Sequence, residues 1–317
     1  MLELHYQILL AFLLDLMLGD PAKYPHPVRI IGAVARRTET ATRRRIADPM
    51  IAGALTAGLI VGGTLLAVWM ILHGLLLIHP IAYTAGSIFL IYTSLSVRCL
   101  FDESKPVLDH LSCGREDLAR VSLSKIVGRD TARMDKPSMV RATVETIAEG
   151  MVDGIIAPLF YAFLGGAPLA LAYKAINTMD SMFGYRNEKY MRFGKFPARL
   201  DDAANWIPAR IAAPIIALGS ALCGFNGRTS LATAFRDGQN HLSPNAGIPE
   251  AAVAGALGIR LGGSSFYDGQ QVDKPYIGDG EKTIEISDIS RSHRIMFVSS
   301  SLTLVLFFLT GRLAGLF

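Results

Sequence analysis

Four carboxylates are spaced so that they can do chemistry together. In ATVETIAEGMVDG (142–154), Glu145, Glu149 and Asp153 recur at i, i+4 and i+8, within an arc of about 80° on a helix of 3.6 residues per turn. Asp180 follows in KAINTMDSMFGYRNEKY (174–190), three residues after Asn177 and on the same helix face, with Lys174 one turn earlier. Carboxylates on one stripe repel unless a cation or a basic partner sits among them. The stripe is therefore either a solvated acidic face or a site for a hard cation such as Mg²⁺, which takes oxygen ligands and keeps waters for phosphate oxygens. Glu145, Glu149, Asp153 and Asp180 are the expected metal ligands and the expected acid–base groups.

Complementary groups lie close by in sequence. Gly184 ends a helix and presents Tyr185, Arg186 and Asn187; an arginine fork suits bidentate recognition of a carboxylate or phosphate. FPARLDDAANWIPAR then supplies Arg199, Asp201, Asp202, Asn205 and Arg210, with Asp201 and Asn205 at i, i+4. A solvated loop explains the polarity, but not the repeated pairing of carboxylates with amides beside apolar helices. GRDT (128–131) offers Arg129 and Asp130 in a loop compatible with phosphate contact. Asp20 and His26 sit in rigid turns near an apolar boundary, and His26 reads equally as a structural histidine. Asp15, amid apolar residues, is a costly intramembrane carboxylate and so a functional candidate. In HLSPNAGIPE, Asn245 precedes Glu250 at a helix start, where Glu250 serves either the helix dipole or the site. Neither HExxH, CxxC, GxSxG nor a phosphate-binding GxxxxGK[ST] occurs.

The elements that must hold these groups are largely membrane helices. The chain has 317 residues, 51% hydrophobic and 18% charged: too apolar for an ordinary soluble domain, too charged for one with nothing outside a bilayer. Net charge is +4 with scattered basic residues, which argues against nucleic-acid binding. Three segments, 50–78, 81–100 and 295–317, are long and apolar enough to span. A fourth, 6–18, is short and carries Asp15; 155–173 is interrupted by LGGAP and 207–225 by Pro208 and Pro214, which predicts kinked or re-entrant helices. Turns are expected at 164–168 and near 223–227. Arg-rich stretches at 35–45 and Lys/Arg between 98 and 141 are separated by two crossings, so both are expected on the cytoplasmic side. The three cysteines lack ligand spacing and read as small buried hydrophobes in a reducing compartment. The N-terminus lacks the basic start and small-residue cleavage site of a removable leader. The expected fold is all-α: a polytopic integral membrane helical bundle over residues 1–317, read as a single membrane-embedded catalytic domain, with broken or re-entrant helices and a polar site facing the cytoplasm. The 142–154 and 174–190 segments are expected to meet at the membrane boundary.

The motifs GDPxxxPHPV, VGRDT, ATVET-AE-xxxDG-xxPLFY, YKAINTMDSM-GYRN, FG-ARLDD-N-IPAR and SPNAG-PEA, in this order across nearly the whole chain, resemble those of the adenosylcobinamide-phosphate synthase family, the membrane amide synthases of cobalamin biosynthesis. The resemblance implies ATP-dependent condensation of adenosylcobyric acid with 1-aminopropan-2-ol or its O-phosphate. It implies ATP and Mg²⁺ as cofactors, the inner membrane as location, and membrane lipid and other late cobalamin-pathway enzymes as partners. Joining a carboxylate to an amine needs an activated acid, such as an acyl phosphate, with charge offset at the phosphates. It also needs a base for the amine, a task for a buried carboxylate. Lys174, Arg186, Arg199 and Arg210 are then the expected phosphate contacts, and Asn177, Asn187 and Asn205 the orienting amides. One departure is Gly150: the family's pattern reads AEN where this chain reads AEG, removing a side-chain amide from the acidic stripe. Two other classes are open to such a chain, a Mg²⁺-dependent prenyltransferase-like membrane enzyme and a non-catalytic membrane transport subunit.

Overall fold

Long runs without charge, closed by prolines and short polar caps, set the helices. A computed structural model describes residues 2–20, 26–185, 187–267, 269–280 and 282–313. Helix α3 (Pro49–Ile78) starts where Pro49 takes the first turn and the Asp48 carboxylate accepts from the Met50 N–H, a site where a missing proline N–H costs nothing. Helix α4 (Pro80–Tyr92) repeats the device with His79 Nδ1 as acceptor for the Ile81 N–H at 3.1 Å. Contacts divide the chain into two compact units.

The first unit comprises Met1–Ser96, Ala157–Asn205 and Leu306–Phe317. It contains α1 (Leu4–Leu18), α2 (Pro27–Arg45), α3, α4, α8 (Ala157–Phe183) and the first part of α9 (Lys195–Leu222). Helix α3 packs on α2, α4 and α8, and α1 packs on α4 and α8. Small residues make this possible: Ala52, Ala57, Ala35 and Ala175 are fully buried beside Met179, Phe183 and Phe193. The break expected at LGGAP is present inside α8, with Gly165 extended and Gly166 at φ 64°, a region glycine enters without steric cost.

The second unit comprises Val97–Ile156 and Trp206–Val305. Helices α5 (Val97–Ser112), α6 (Glu116–Leu123) and α7 (Lys136–Met151) pack on one another. A π-helical turn, Val152–Ile156, follows α7. Helices α10 (Gly227–Asp237) and α11 (Gly247–Leu257) form a close pair, and α11 also packs on α7. Most of α12 (Ser287–Leu313) completes the unit. The turn expected near 223–227 is where α9 ends: Gly224 has φ 83° and the Phe225 N–H donates to Ser220 O. Pro208 and Pro214 lie inside α9 without ending it.

The protein is a helical membrane protein, as expected. Four helical runs, Pro49–Ile78, Pro80–Ser112, Lys136–Phe183 and Ser287–Gly311, are long and apolar enough to cross a membrane, and Leu4–Leu18 is apolar but shorter. Trp69, Met70, Ile71, Leu77 and Ile78 of α3 are all more than half exposed, a patch suited to lipid rather than water. One small hairpin accompanies the helices, and the buried-cysteine reading fails at one position. Strands β1 (Leu261–Tyr267) and β2 (Gln270–Ile277) form an antiparallel hairpin with a bulge at Gly262/Gly263. Its Asp-Gly connection at 268–269 is a strong short-range hairpin signal, and Gly269 has φ 77°. Cys113 is exposed rather than buried.

Candidate functional site

Each unit carries one cluster of the residues singled out from sequence. In the first unit, α8 and the start of α9 bring Asn177 and Asn205 onto Asp201. The Asn205 amide donates to Asp201 Oδ2 at 3.0 Å and the Asn177 amide to Oδ1 at 3.4 Å. The i, i+4 spacing of Asp201 and Asn205 places both on one helix face, and both are buried. Tyr173 Oη donates to Asn205 Oδ1 at 2.9 Å, and its ring stacks on Tyr161 at 5.1 Å. Burial, then the neighbouring Asp180 and Asp202 charges, push the Asp201 carboxyl from 3.8 up to about 7, although the two amide hydrogen bonds favour its ionised form. Lys174, one turn before Asn177 on α8, is also buried. This cluster is therefore a carboxylate that exchanges a proton near neutrality, held in place by two amides.

Other predicted residues of this unit lie apart from that arrangement. Asn187 spends its side-chain oxygen on the Tyr190 N–H at 3.1 Å, a turn-forming contact. Tyr185 and Arg199 are exposed, and Arg186 lies outside the described residues. Asp20 pairs with His26, Oδ1 to Nε2 at 3.2 Å. Asp15 is fully buried on α1.

In the second unit, Arg129 and Glu145 form a tight, nearly buried ion pair. Burial opposes the Arg129 charge, but Glu145 overcomes this and holds the guanidinium above its ordinary range. Glu145 Oε1 also accepts from the Gly262 N–H at 2.8 Å, and Arg129 Nη1 donates to Ser265 Oγ at 3.0 Å. The pair thus ties α7 and the GRDT loop to β1. Asp130 accepts from the Gly269 N–H at 2.7 Å, and the Asp130 N–H donates to Phe266 O. Glu250 is buried in the first turn of α11. Burial, then the charges of Glu145 and Glu149, raise its pKa well above the usual carboxylate value, while Lys274 and Arg129 act in the opposite sense. Those neighbours make Glu250 a member of the cluster as well as a helix-start acid. Arg210 lies over Trp206 at 4.2 Å and donates to Asn245 Oδ1 at 3.3 Å.

Two groups escape sequence reasoning. Lys274 sits on β2, and its charge acts on both Glu250 and His241. His241 is held below its ordinary pKa by burial and then by Lys274, and its Nδ1 accepts from the Ser243 N–H at 3.0 Å. Neither stands in a recognisable motif, because strand pairing rather than helical spacing brings Lys274 in.

A π turn follows Met151, and Asp153, which is half-buried, lies within it. Among the described residues, no three Asp, Glu, His or Cys side chains converge to hold a metal. Glu145 spends its oxygens on Arg129 and Gly262, and Glu149 alone of the row is exposed.

Comparison with known proteins follows the same residues. A family described as CobD/Cbib protein matches residues 8–296. The cobalamin biosynthesis protein CobD of Citrobacter koseri is 48% identical over 301 residues, covering 94% of each chain. CobD of Leptospira interrogans is 45% identical over 302 residues, covering 95% of this chain and 96% of its own. The cobalamin biosynthesis protein CbiB of Salmonella choleraesuis is 45% identical over 303 residues, covering 94% of each. No solved structure gives a significant match.

Proposed function

The chain belongs to the CobD/CbiB family, and from that premise we propose that it acts in cobalamin biosynthesis as an ATP-dependent amide synthase. It joins adenosylcobyric acid to (R)-1-aminopropan-2-ol or its O-phosphate. The observation that carries this reading is Asp201, a buried carboxylate whose proton exchanges at about pH 7. An amine arriving as ammonium must lose a proton before it can attack, and a base is most effective when its pKa lies near the working pH.

The reaction balances as follows. The substrate carboxylate attacks the γ-phosphorus of ATP, forming an acyl phosphate and releasing ADP. The free amine attacks the acyl carbon, phosphate leaves with the C–O bonding electrons, and one proton passes from nitrogen to a carboxylate. Asn177 and Asn205 fix the direction of the Asp201 oxygens, so the acceptor is preorganised. The Arg129 guanidinium and Lys274 ammonium offset negative charge around the three glutamates of the second unit. Glu250, buried beside the charges of Glu145 and Glu149, is pushed towards its neutral form. Magnesium bound with the nucleotide would supply charge neutralisation at the phosphates.

The basic segments after α1 and around α5–α6 support a cytoplasmic face for the polar loops of a bacterial inner-membrane protein. One assay tests the activity. Purified protein is incubated with adenosylcobyric acid, aminopropanol or its phosphate, and Mg²⁺–ATP, and the corrinoid is read by mass spectrometry. The expected result is the amide with matching ADP; unchanged corrinoid and unchanged ATP would overturn the reading.

A further inference from the structure

Beside the Arg129–Glu145 pair, the second unit encloses a cavity of about 860 Å³ lined by residues of 124–141 and of β1. That volume falls in the range of pockets that take small organic ligands, roughly 300–1,000 Å³. Its lining is unusual in holding both signs of charge together with an aromatic ring. Arg133 and Arg141 face it with Asp130, Asp135 and Phe266. Arg141 donates through Nη1 to Gly262 O at 3.3 Å, but among the described residues its buried Nε has no hydrogen-bond partner. A buried N–H of that kind is expensive to leave unmade. Asp130 Oδ2 accepts from the Gly269 N–H, which among the described residues leaves its other oxygen as an acceptor, whereas Asp135 is engaged by both the N–H and the side chain of Ser138 as the cap of α7. Phe266 is 47% exposed.

We propose that this cavity binds a nucleoside triphosphate. The two guanidiniums take the phosphates, since an arginine fork matches phosphate oxygens. The second oxygen of Asp130 accepts from a ribose hydroxyl, as an acidic residue does in dinucleotide sites. The Phe266 ring carries the base by stacking, which any base satisfies. A cation-only pocket would suit inorganic phosphate equally, but the acceptor and the ring have no use in that case. The proposal rests on the ATP-dependent activity above, and it moves the phosphate contacts from Arg186 and Arg199 to Arg133 and Arg141.

The test measures equilibrium binding of Mg²⁺–ATP, inorganic tripolyphosphate and aminopropanol phosphate to the full-length protein in detergent, without corrinoid. Arg133→Ala, Arg141→Ala, Arg141→Lys and Phe266→Ala are compared, with melting curves to establish folding; Arg133 is exposed, so its variant keeps the fold. Each arginine-to-alanine change is expected to weaken ATP at least tenfold, with Lys restoring part of the loss at 141. Phe266→Ala is expected to weaken ATP severalfold and leave tripolyphosphate unchanged. Wild-type ATP affinity in folded variants overturns the cavity assignment while amide synthesis by the parent stands. Loss confined to aminopropanol phosphate overturns the nucleotide as occupant, and absence of ATP binding by the parent removes both readings.

Discussion

At the scale of single residues, the raised Asp201 carboxyl makes opposite demands on pH for chemistry and for stability. Asp201 takes a proton only when ionised, so kcat/KM is expected to rise with pH and level off above about 7. Asp201→Asn should abolish that limb and lower the rate by about 100-fold or more, the usual weight of a positioned base; an unshifted profile in a folded variant would remove Asp201 from the chemistry. Stability runs the other way. The folded carboxyl holds its proton up to about 7 against an ordinary 3.8, so its contribution is complete below 3.8 and is lost as pH rises towards 7. Melting temperature of the asparagine variant should therefore fall less than that of the parent between pH 5 and 8. The Arg129–Glu145 pair is a different case, since both side chains are nearly buried. Removing one partner leaves a buried charge alone, and Arg129→Met is expected to cost about 3 kcal/mol, read as a lowered melting temperature.

At the scale of elements, helical spacing carried well within a regular helix and did not record contacts between elements. The i, i+4 spacing of Asp201 and Asn205 is obeyed in α9 and puts their side chains in contact, whereas the approach of Asn177 from α8 is a tertiary contact that spacing does not record. The π turn at 152–156 is not legible, because nothing in MVDGII announces it. Lys274 was missed because a strand brings it in, although the Asp268-Gly269 pair announces the hairpin. Two glycines give contrasting tests. A Cβ at Gly166 would meet only ordinary contacts, the nearest being Leu4 Cδ1 at 3.6 Å. Its φ of 64° alone resists substitution, so Gly166→Ala should cost about 1–2 kcal/mol. At Gly150 a Cβ would come within 2.6 Å of Leu100 Cδ2, the far end of a side chain that can turn away. Gly150→Ala gains about 1 kcal/mol of helix propensity, and its melting temperature should be no lower than the parent's.

At the scale of the whole molecule, apolar length was the most legible property. The spans at 50–78 and 81–100 lie within helical runs, the third overlaps the run Ser287–Gly311 as far as the residues are described, and the fourth run takes in 155–173 together with the acidic helix before it. The two-unit division was not legible, because each unit is assembled from separated stretches whose contacts no local pattern records. Orientation has a direct test in Cys113, exposed just beyond α5 in a basic stretch. With Cys99 and Cys223 replaced, a membrane-impermeant maleimide is expected to label Cys113 only after the cells are permeabilised. Labelling of intact cells would invert the assigned topology.

Glu145 has a consequence for how any mutational survey of this protein reads. Its two oxygens serve two masters: one receives the Arg129 guanidinium, the other receives a backbone N–H of the β-hairpin. Alanine there unfastens a strand and strands a cation in a single stroke, so a dead Glu145→Ala enzyme is silent on chemistry. Glutamine separates the two, because its one carbonyl can still receive the Gly262 N–H while the charge is gone. The informative comparison at this position is thus Gln against Ala: a rivet lost in one, only its charge in the other.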